Sequence, residues 1–374
     1  MTKTILAISN DTGVANGLFS CINKFNDDKK LETIVLSEGP SRDVYKSKQI
    51  GYNTFNDFGL DVVSEEGVDK IMTLERPDLV LTGFSEGVML EKYFINNARL
   101  RNTISFTVLE GYTNYLKIVS DNELKHPFKY MPDFICIMDN FVLEEMIKLN
   151  FDKNKLILTG NPYFDDLIGL KNGFSKDDLK QIRRELNVDE NGYLITFFSQ
   201  ALKKIIDKGS DIPSRGYNEL SVLRLLESSL YELNVDNLNL LVKLHPKEDE
   251  ESTMTAFSGK LNKVIFNKDY NSRKAMIVSD LVTGMFSTSL IESVYLDKDT
   301  ISIQPNIIVP DTLAMNKTGL ILPVYKEEEL KSTLMRVVYN NNFKEDLKQK
   351  RSSLGLDGKA TERVVNEVYK LLNV

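Results

Sequence analysis

The pattern that most constrains this chain is a regular exchange of short apolar runs for amphipathic stretches, beginning at residue 4. Strand-like runs at 4–9, 32–36, 78–82, 103–109, 132–138 and 155–159 alternate with helical spacing at 14–25, 41–49, 64–74, 89–99 and 141–149. Gly160-Asn161-Pro162 breaks the pattern, and a polar stretch follows in which Ser175 caps a helix-like SKDDLKQIRREL. Alternation then resumes with strands at 193–198, 238–244, 263–266, 280–282 and 300–303 and helices at 217–233, 272–278 and 288–295. Helices around 327–339 and 359–372 follow. Repeated β-α-β calls for mainly parallel sheets covered on both faces with right-handed crossovers. The expected architecture is α/β, with two Rossmann-like parallel-sheet domains facing a central cleft. The domains are placed at 1–166 and 191–356, with a linker at 167–190 and a C-terminal helix at 357–374.

A chain of 374 residues is too long for one ordinary core, which agrees with two domains. Its 42% hydrophobic and 27% charged content is that of a soluble globular protein. A net charge of −7 argues against a general nucleic-acid binder, which needs clustered Lys and Arg. Cys21 and Cys136 lack CxxC spacing and read as reduced core residues. MTKTILAIS is too short an apolar run for a signal peptide, and no window approaches the ~18 apolar residues of a membrane span. The expectation is a cytoplasmic protein; contact with the inner face of a membrane is left open. No GxGxxG, P-loop, HExxH or Cys/His cluster points to NAD, ATP hydrolysis or a metal.

Four stretches at predicted strand ends could carry chemistry. In LNLLVKLHPKEDE the apolar run ends at His245-Pro246, where proline cannot extend a ladder, leaving an imidazole at the strand's carboxyl edge to meet an anion. In the same predicted domain Gly284 gives way to Ser287-Thr288-Ser289 and a helix start. Hydroxyls and free N–H groups there favour phosphate, and Glu292, one turn on, is placed for ribose hydroxyls. The same residues also read as an ordinary capping box. Ser199-Gln200 follows another strand and could bond a phosphate or base. In the first domain Glu110-Gly111 follows a strand, with Tyr112, Thr113 and Asn114 beyond it; a carboxylate there can take a proton from an acceptor hydroxyl. Asn10-Asp11-Thr12-Gly13 after the first strand reads either as a helix cap or as an acceptor contact with Asp11 a reserve base. Lys203, Lys204 and Lys208 read as a solvated face, and His126-Pro127 as a surface turn.

With these residues placed, the chain resembles the GT-B superfamily of nucleotide-sugar enzymes. Leu158-Thr159-Gly160-Asn161-Pro162, continuing YFDDL, resembles the VTGNxxxD stretch that closes the first domain there. His245-Pro246 and Ser287-Thr288-Ser289 resemble the HP and serine motifs of bacterial sialyltransferases, which contact the phosphate of a CMP donor. Leu109-Glu110-Gly111 resembles their acidic motif, with its first acid replaced by Leu109. The resemblance implies an inverting, metal-independent glycosyltransferase without a cofactor. It would move a CMP-activated nonulosonate of sialic acid or Kdo type to a glycan acceptor in bacterial surface polysaccharide synthesis, such as capsule or lipopolysaccharide. CDP-glycerol-type polyol phosphate transferases share parts of the HP and serine pattern. The hydrolysing UDP-GlcNAc 2-epimerase is similar too: its HVEAG motif is echoed by Val108 to Gly111 and its ribose-binding glutamate by Glu292. Its histidine is Val108 here, its SGG glycines are hydroxyl residues, and its His-Arg pair is replaced by Phe198-Ser199-Gln200.

Overall fold

The computed structural model describes residues 2–85, 87–112, 114–121, 123–207, 214–352, 354 and 356–374, with backbone alone at 205–207. Thr113 and Lys208 lie outside the described residues. The chain divides into two compact units, Met1–Asp166 with Gly355–Val374, and Leu167–Leu354. Among the described residues each holds a six-stranded, wholly parallel sheet.

In unit 1 the strands are β1 (Lys3–Ser9), β2 (Leu31–Ser37), β3 (Leu79–Thr82), β4 (Ile104–Val108), β5 (Phe134–Ile137) and β6 (Leu156–Leu158). They lie in the order β2-β1-β3-β4-β5-β6, so the order reverses between β1 and β3. Strand β1 shows why its run is apolar at every position. Ile5 and Ala7 pack with Val14, Leu18 and Phe25 on one face, while Leu6 and Ile8 pack with Val68, Ile71 and Phe94 on the other. The helix Ala360–Leu372 lays Val364, Val365, Val368 and Leu372 into the first of these clusters. It therefore belongs to the core of unit 1. Cys21 and Cys136 are buried and free.

In unit 2 the strands are β7 (Tyr193–Phe198), β8 (Leu238–Lys243), β9 (Val264–Asn267), β10 (Leu281–Gly284), β11 (Asp299–Ile303) and β12 (Leu322–Val324). The order is β12-β11-β10-β7-β8-β9, with the reversal between β7 and β10. Ile195, Phe197, Leu240 and Val242 meet Leu223, Leu226 and Leu334 on one face, and Leu194 and Leu241 meet Ile182, Leu186 and Val278 on the other. Ile182 comes from the helix Lys176–Glu185, so residues 167–190 hold structure packed on this sheet. The capping box that starts this helix pairs Ser175 with Asp178, as its sequence implies. Lys243, the one charge in its apolar run, is buried at the end of β8, where its ammonium donates to the Lys268 carbonyl.

Candidate functional site

Ligands gather where strand order reverses, outside the carboxyl ends of parallel strands. In unit 1 this is where β1 runs into Asn10-Asp11 and β3 into Gly83-Phe84-Ser85. Asp11 caps the helix Thr12–Asn26, its carboxylate accepting from the Val14 N–H at 3.0 Å. Glu110, beyond β4, reaches the same place. A Cβ on Gly13 would lie 3.4 Å from both Asp11 Oδ1 and Glu110 Cγ, so the two acids flank this glycine. Glu110 is partly exposed as a residue, yet its Oε2 is shut from solvent and has no hydrogen-bond partner. Burial holds its carboxyl well above the usual range, and the charge of Asp11 pushes it the same way.

A third acid completes the cluster. Glu91, in the helix Leu90–Arg101, is 1% exposed and accepts from Ser85 Oγ at 2.5 Å and from the Asn10 N–H at 3.0 Å. Ser85 Oγ in turn accepts from the Asp11 N–H at 3.1 Å. Burial raises Glu91 to about 7, with a further push from Asp11. The sequence carried a usable sign of this: residues 91, 94, 95 and 98 form one helix face, and Glu91 is the charge on an otherwise apolar stripe. Asn161, also buried, donates from Nδ2 to the Glu110 carbonyl at 3.3 Å and so ties the LTGNP stretch to the acid's backbone. Of the other residues expected here, Thr12 and Gly13 are exposed at the helix start. Tyr112 is buried with its hydroxyl donating to Asp139 at 2.8 Å, which turns it away from a contact role. Asn114 is exposed, in the left-handed region at φ 62°.

In unit 2, His245 follows β8 and is partly buried. Its backbone N–H donates to Glu248 Oε2 at 2.6 Å, and its Nδ1 accepts from the Lys247 N–H at 3.1 Å. A neutral ring with Nδ1 accepting carries its proton on Nε2. Burial lowers the His245 pKa, and Lys247 and Lys268 add to this, which favours the neutral ring. Pro246 is exposed on the turn. Ser199, expected to face a ligand, instead donates to Glu248 at 2.7 Å and is buried. Glu248 thus braces the His245 turn against the end of β7. It lay unnoticed in KEDE because that run reads as solvated charge.

Gln200 accepts from the Phe286 N–H at 3.0 Å, joining the ends of β7 and β10 at the reversal point. Gly284 ends β10, where a Cβ would meet the Phe198 carbonyl at 3.0 Å and Leu290 at 3.2 Å. Ser287 caps the helix Thr288–Tyr295 by accepting from the Ser289 N–H at 3.2 Å. The cap is thus Ser287, and Thr288 is left exposed at the helix start. Glu292 pairs with Arg273 at 3.2 Å. His245, Gln200 and Ser287–Ser289 therefore share one sheet edge. No cluster of acids, histidines and cysteines among the described residues is suited to a metal, and no helix there is long and apolar enough to cross a membrane.

No family model and no curated protein matches the chain. Solved structures do. UDP-GlcNAc 2-epimerase from Neisseria meningitidis bound to UDP-GlcNAc matches with TM-score 0.71 and 13% identity over 98% of this chain and 100% of that one. The S. aureus MnaA-UDP structure gives 0.69 and 13% over 100% and 97%. Acinetobacter baumannii MurG gives 0.62 and 12% over 99% and 100%. The chain has the GT-B fold of two Rossmann-like domains.

Proposed function

We propose that this chain acts on a sugar linked to a nucleoside diphosphate, and that its chemistry is of the UDP-GlcNAc 2-epimerase type. Unit 2 binds the nucleotide through the Nε2–H of His245 and the helix start at Ser287–Ser289; unit 1 supplies the carboxyls. The observation that carries the reading is Glu110, whose unpartnered, buried Oε2 stands beside Asp11 at a sheet's reversal point. Epimerisation next to an anomeric carbon breaks a C–H bond and expels the nucleotide, then returns a proton from the other face as water adds to the anomeric carbon. It needs one group to take a proton and another to give one. Burial and the neighbouring Asp11 charge raise the Glu110 carboxyl and so favour its protonated form, which suits Glu110 to the proton-giving role and leaves the accepting role to Asp11. Neighbours that carry UDP or UDP-GlcNAc favour this donor class. The CMP-linked nonulosonate has no such support.

Glycosyl transfer to an acceptor is the second reading. It is favoured by Val108 and by Phe198-Ser199-Gln200, which stand where the epimerase carries its histidine and its His-Arg pair. There Glu110, once ionised, takes the acceptor's proton. Incubation with UDP-GlcNAc alone separates the readings. Free UDP and the 2-epimer without an acceptor support the first, and UDP release only with a glycan acceptor supports the second. Wild-type turnover that survives Glu110→Gln at full rate would rule out the role given to Glu110 in both.

A further inference from the structure

Arg215 lies in a polar stretch with no motif to mark it out. Its place is nevertheless fixed from several sides. Its carbonyl accepts from the Ile308 N–H at 3.1 Å. The next residue, Gly216, has φ +93°, and a Cβ there would stand 2.3 Å from the Asn306 carbonyl oxygen, so the backbone lies flat on the loop beyond β11. From this anchor the guanidinium reaches over Phe286, with its central carbon 4.0 Å from the ring centroid. Its Nε donates to the Tyr217 hydroxyl at 3.2 Å, which donates onward to Gln304 at 2.8 Å. Its Nη2 is buried and has no hydrogen-bond partner.

Arg215 is partly exposed as a residue, but leaving its buried Nη2 without an acceptor is costly, and an anion would supply one. Phe286, on which it rests, is the residue bonded to Gln200 and directly precedes the cap Ser287. The positive charge thus stands at the start of a helix whose dipole is also positive there. The carboxylate of Asp311 is joined to the guanidinium only through Gln304 and Tyr217, and accepts from Gln304 rather than from Arg215. We infer that Arg215 holds a phosphoryl group of the ligand, and that unit 2 has two phosphate subsites: one at Arg215 and Ser287–Ser289, the other at His245. The residues that line them follow β10 and β8, on either side of β7. Donors on both sides suit a diphosphate better than a monophosphate. The inference rests on the nucleotide reading above and adds a residue and a selectivity to it.

The test measures affinities of UDP, UMP and inorganic pyrophosphate by calorimetry for wild type, Arg215→Ala and Arg215→Lys. Wild type should bind UDP roughly tenfold or more tightly than UMP, the value of one charge-assisted bond. Arg215→Ala should bring UDP down to the level of UMP and abolish pyrophosphate binding, while Arg215→Lys restores part of the charge without the planar fork. A UDP preference unchanged in Arg215→Ala overturns the subsite and leaves the nucleotide reading standing. Pyrophosphate binding that depends on Arg215, with no binding of either nucleotide, supports the subsite and overturns the nucleotide reading. No binding of any of the three by folded wild type overturns both.

Discussion

Glu91 links position to pH. Its folded pKa of about 7 exceeds the ordinary 4.5, so the native state binds this proton more tightly than the unfolded chain does. The gain is whole below the unfolded value and is lost as pH rises to the folded one, amounting to about 3 kcal/mol. Glu91→Gln keeps an oxygen to accept from Ser85 and Asn10 but cannot ionise. It is expected to melt above wild type near about pH 8.5 and to coincide with it near about pH 4.5; thermal scans at the two values check this, and equal shifts at both would contradict it. His245 runs the other way. Its pKa is lowered on folding, so its neutral Nε2–H donor persists through alkaline pH, and UDP affinity should be level between about pH 7 and 9. A steep fall across that range in calorimetry would mean that a cationic imidazole does the binding. At this scale the sequence named His245 and Glu110 because each ends an apolar run. It hid Arg215, whose partners Phe286 and Tyr217 arrive from elsewhere in the fold. It could not show the partners of the Ser199 and Tyr112 hydroxyls, whose acceptors Glu248 and Asp139 lie 49 and 27 residues away.

The elements were more legible. Strand Tyr193–Phe198 and helices Ser272–Val278, Thr288–Tyr295 and Glu327–Tyr339 fall where periodicity puts them, because each has one packing partner face and a clear stop. Strand β12 was invisible: it is three residues with Pro323 at its centre, tolerated because an edge strand pairs only with β11. Helix Asn341–Ser352 was missed for its polar composition, which buries only Leu347 and Arg351. The join between β6 and the helix Ala360–Leu372 carries the element-scale prediction. Asp165 accepts from the Ala360 and Thr361 N–H groups at 3.0 and 2.7 Å, and Arg363 donates to the Thr159 carbonyl at 2.6 Å. Gly160, at φ +84°, would place a Cβ 2.9 Å from that of Ala360. Asp165→Ala should therefore cost about 1–2 kcal/mol, as loss of a helix cap does, read from the urea midpoint. Gly160→Ala should cost at least as much, from backbone strain and contact together.

At the scale of the molecule, each sheet reverses strand order beside its first strand, β1 in unit 1 and β7 in unit 2. Among the described residues, His245, Gln200 and Ser287 follow the strands at the reversal point of unit 2, while Asp11, Glu91 and Glu110 gather at that of unit 1. Hydrogen exchange with UDP at about 100 times its dissociation constant, where binding adds about 2.7 kcal/mol, should protect 198–200, 245–248 and 285–289. Protection confined to residues around Asp11 and Glu110 would reverse the division of labour. That two domains of parallel sheet were readable, while the return of the C-terminal helix to unit 1 was not, has a physical source. Alternating runs report local periodicity, whereas the return of 356–374 to unit 1 depends on Val364 and Val368 finding Phe25, more than three hundred residues earlier. This return has a consequence in time. A ribosome makes all of unit 2 before the segment that finishes unit 1, so the brace running from Arg363 through Thr159 and Asn161 to Glu110 closes only after the whole of unit 2 has emerged. A chain that stalls before residue 360 should carry unit 2 whole and Glu110 without this brace.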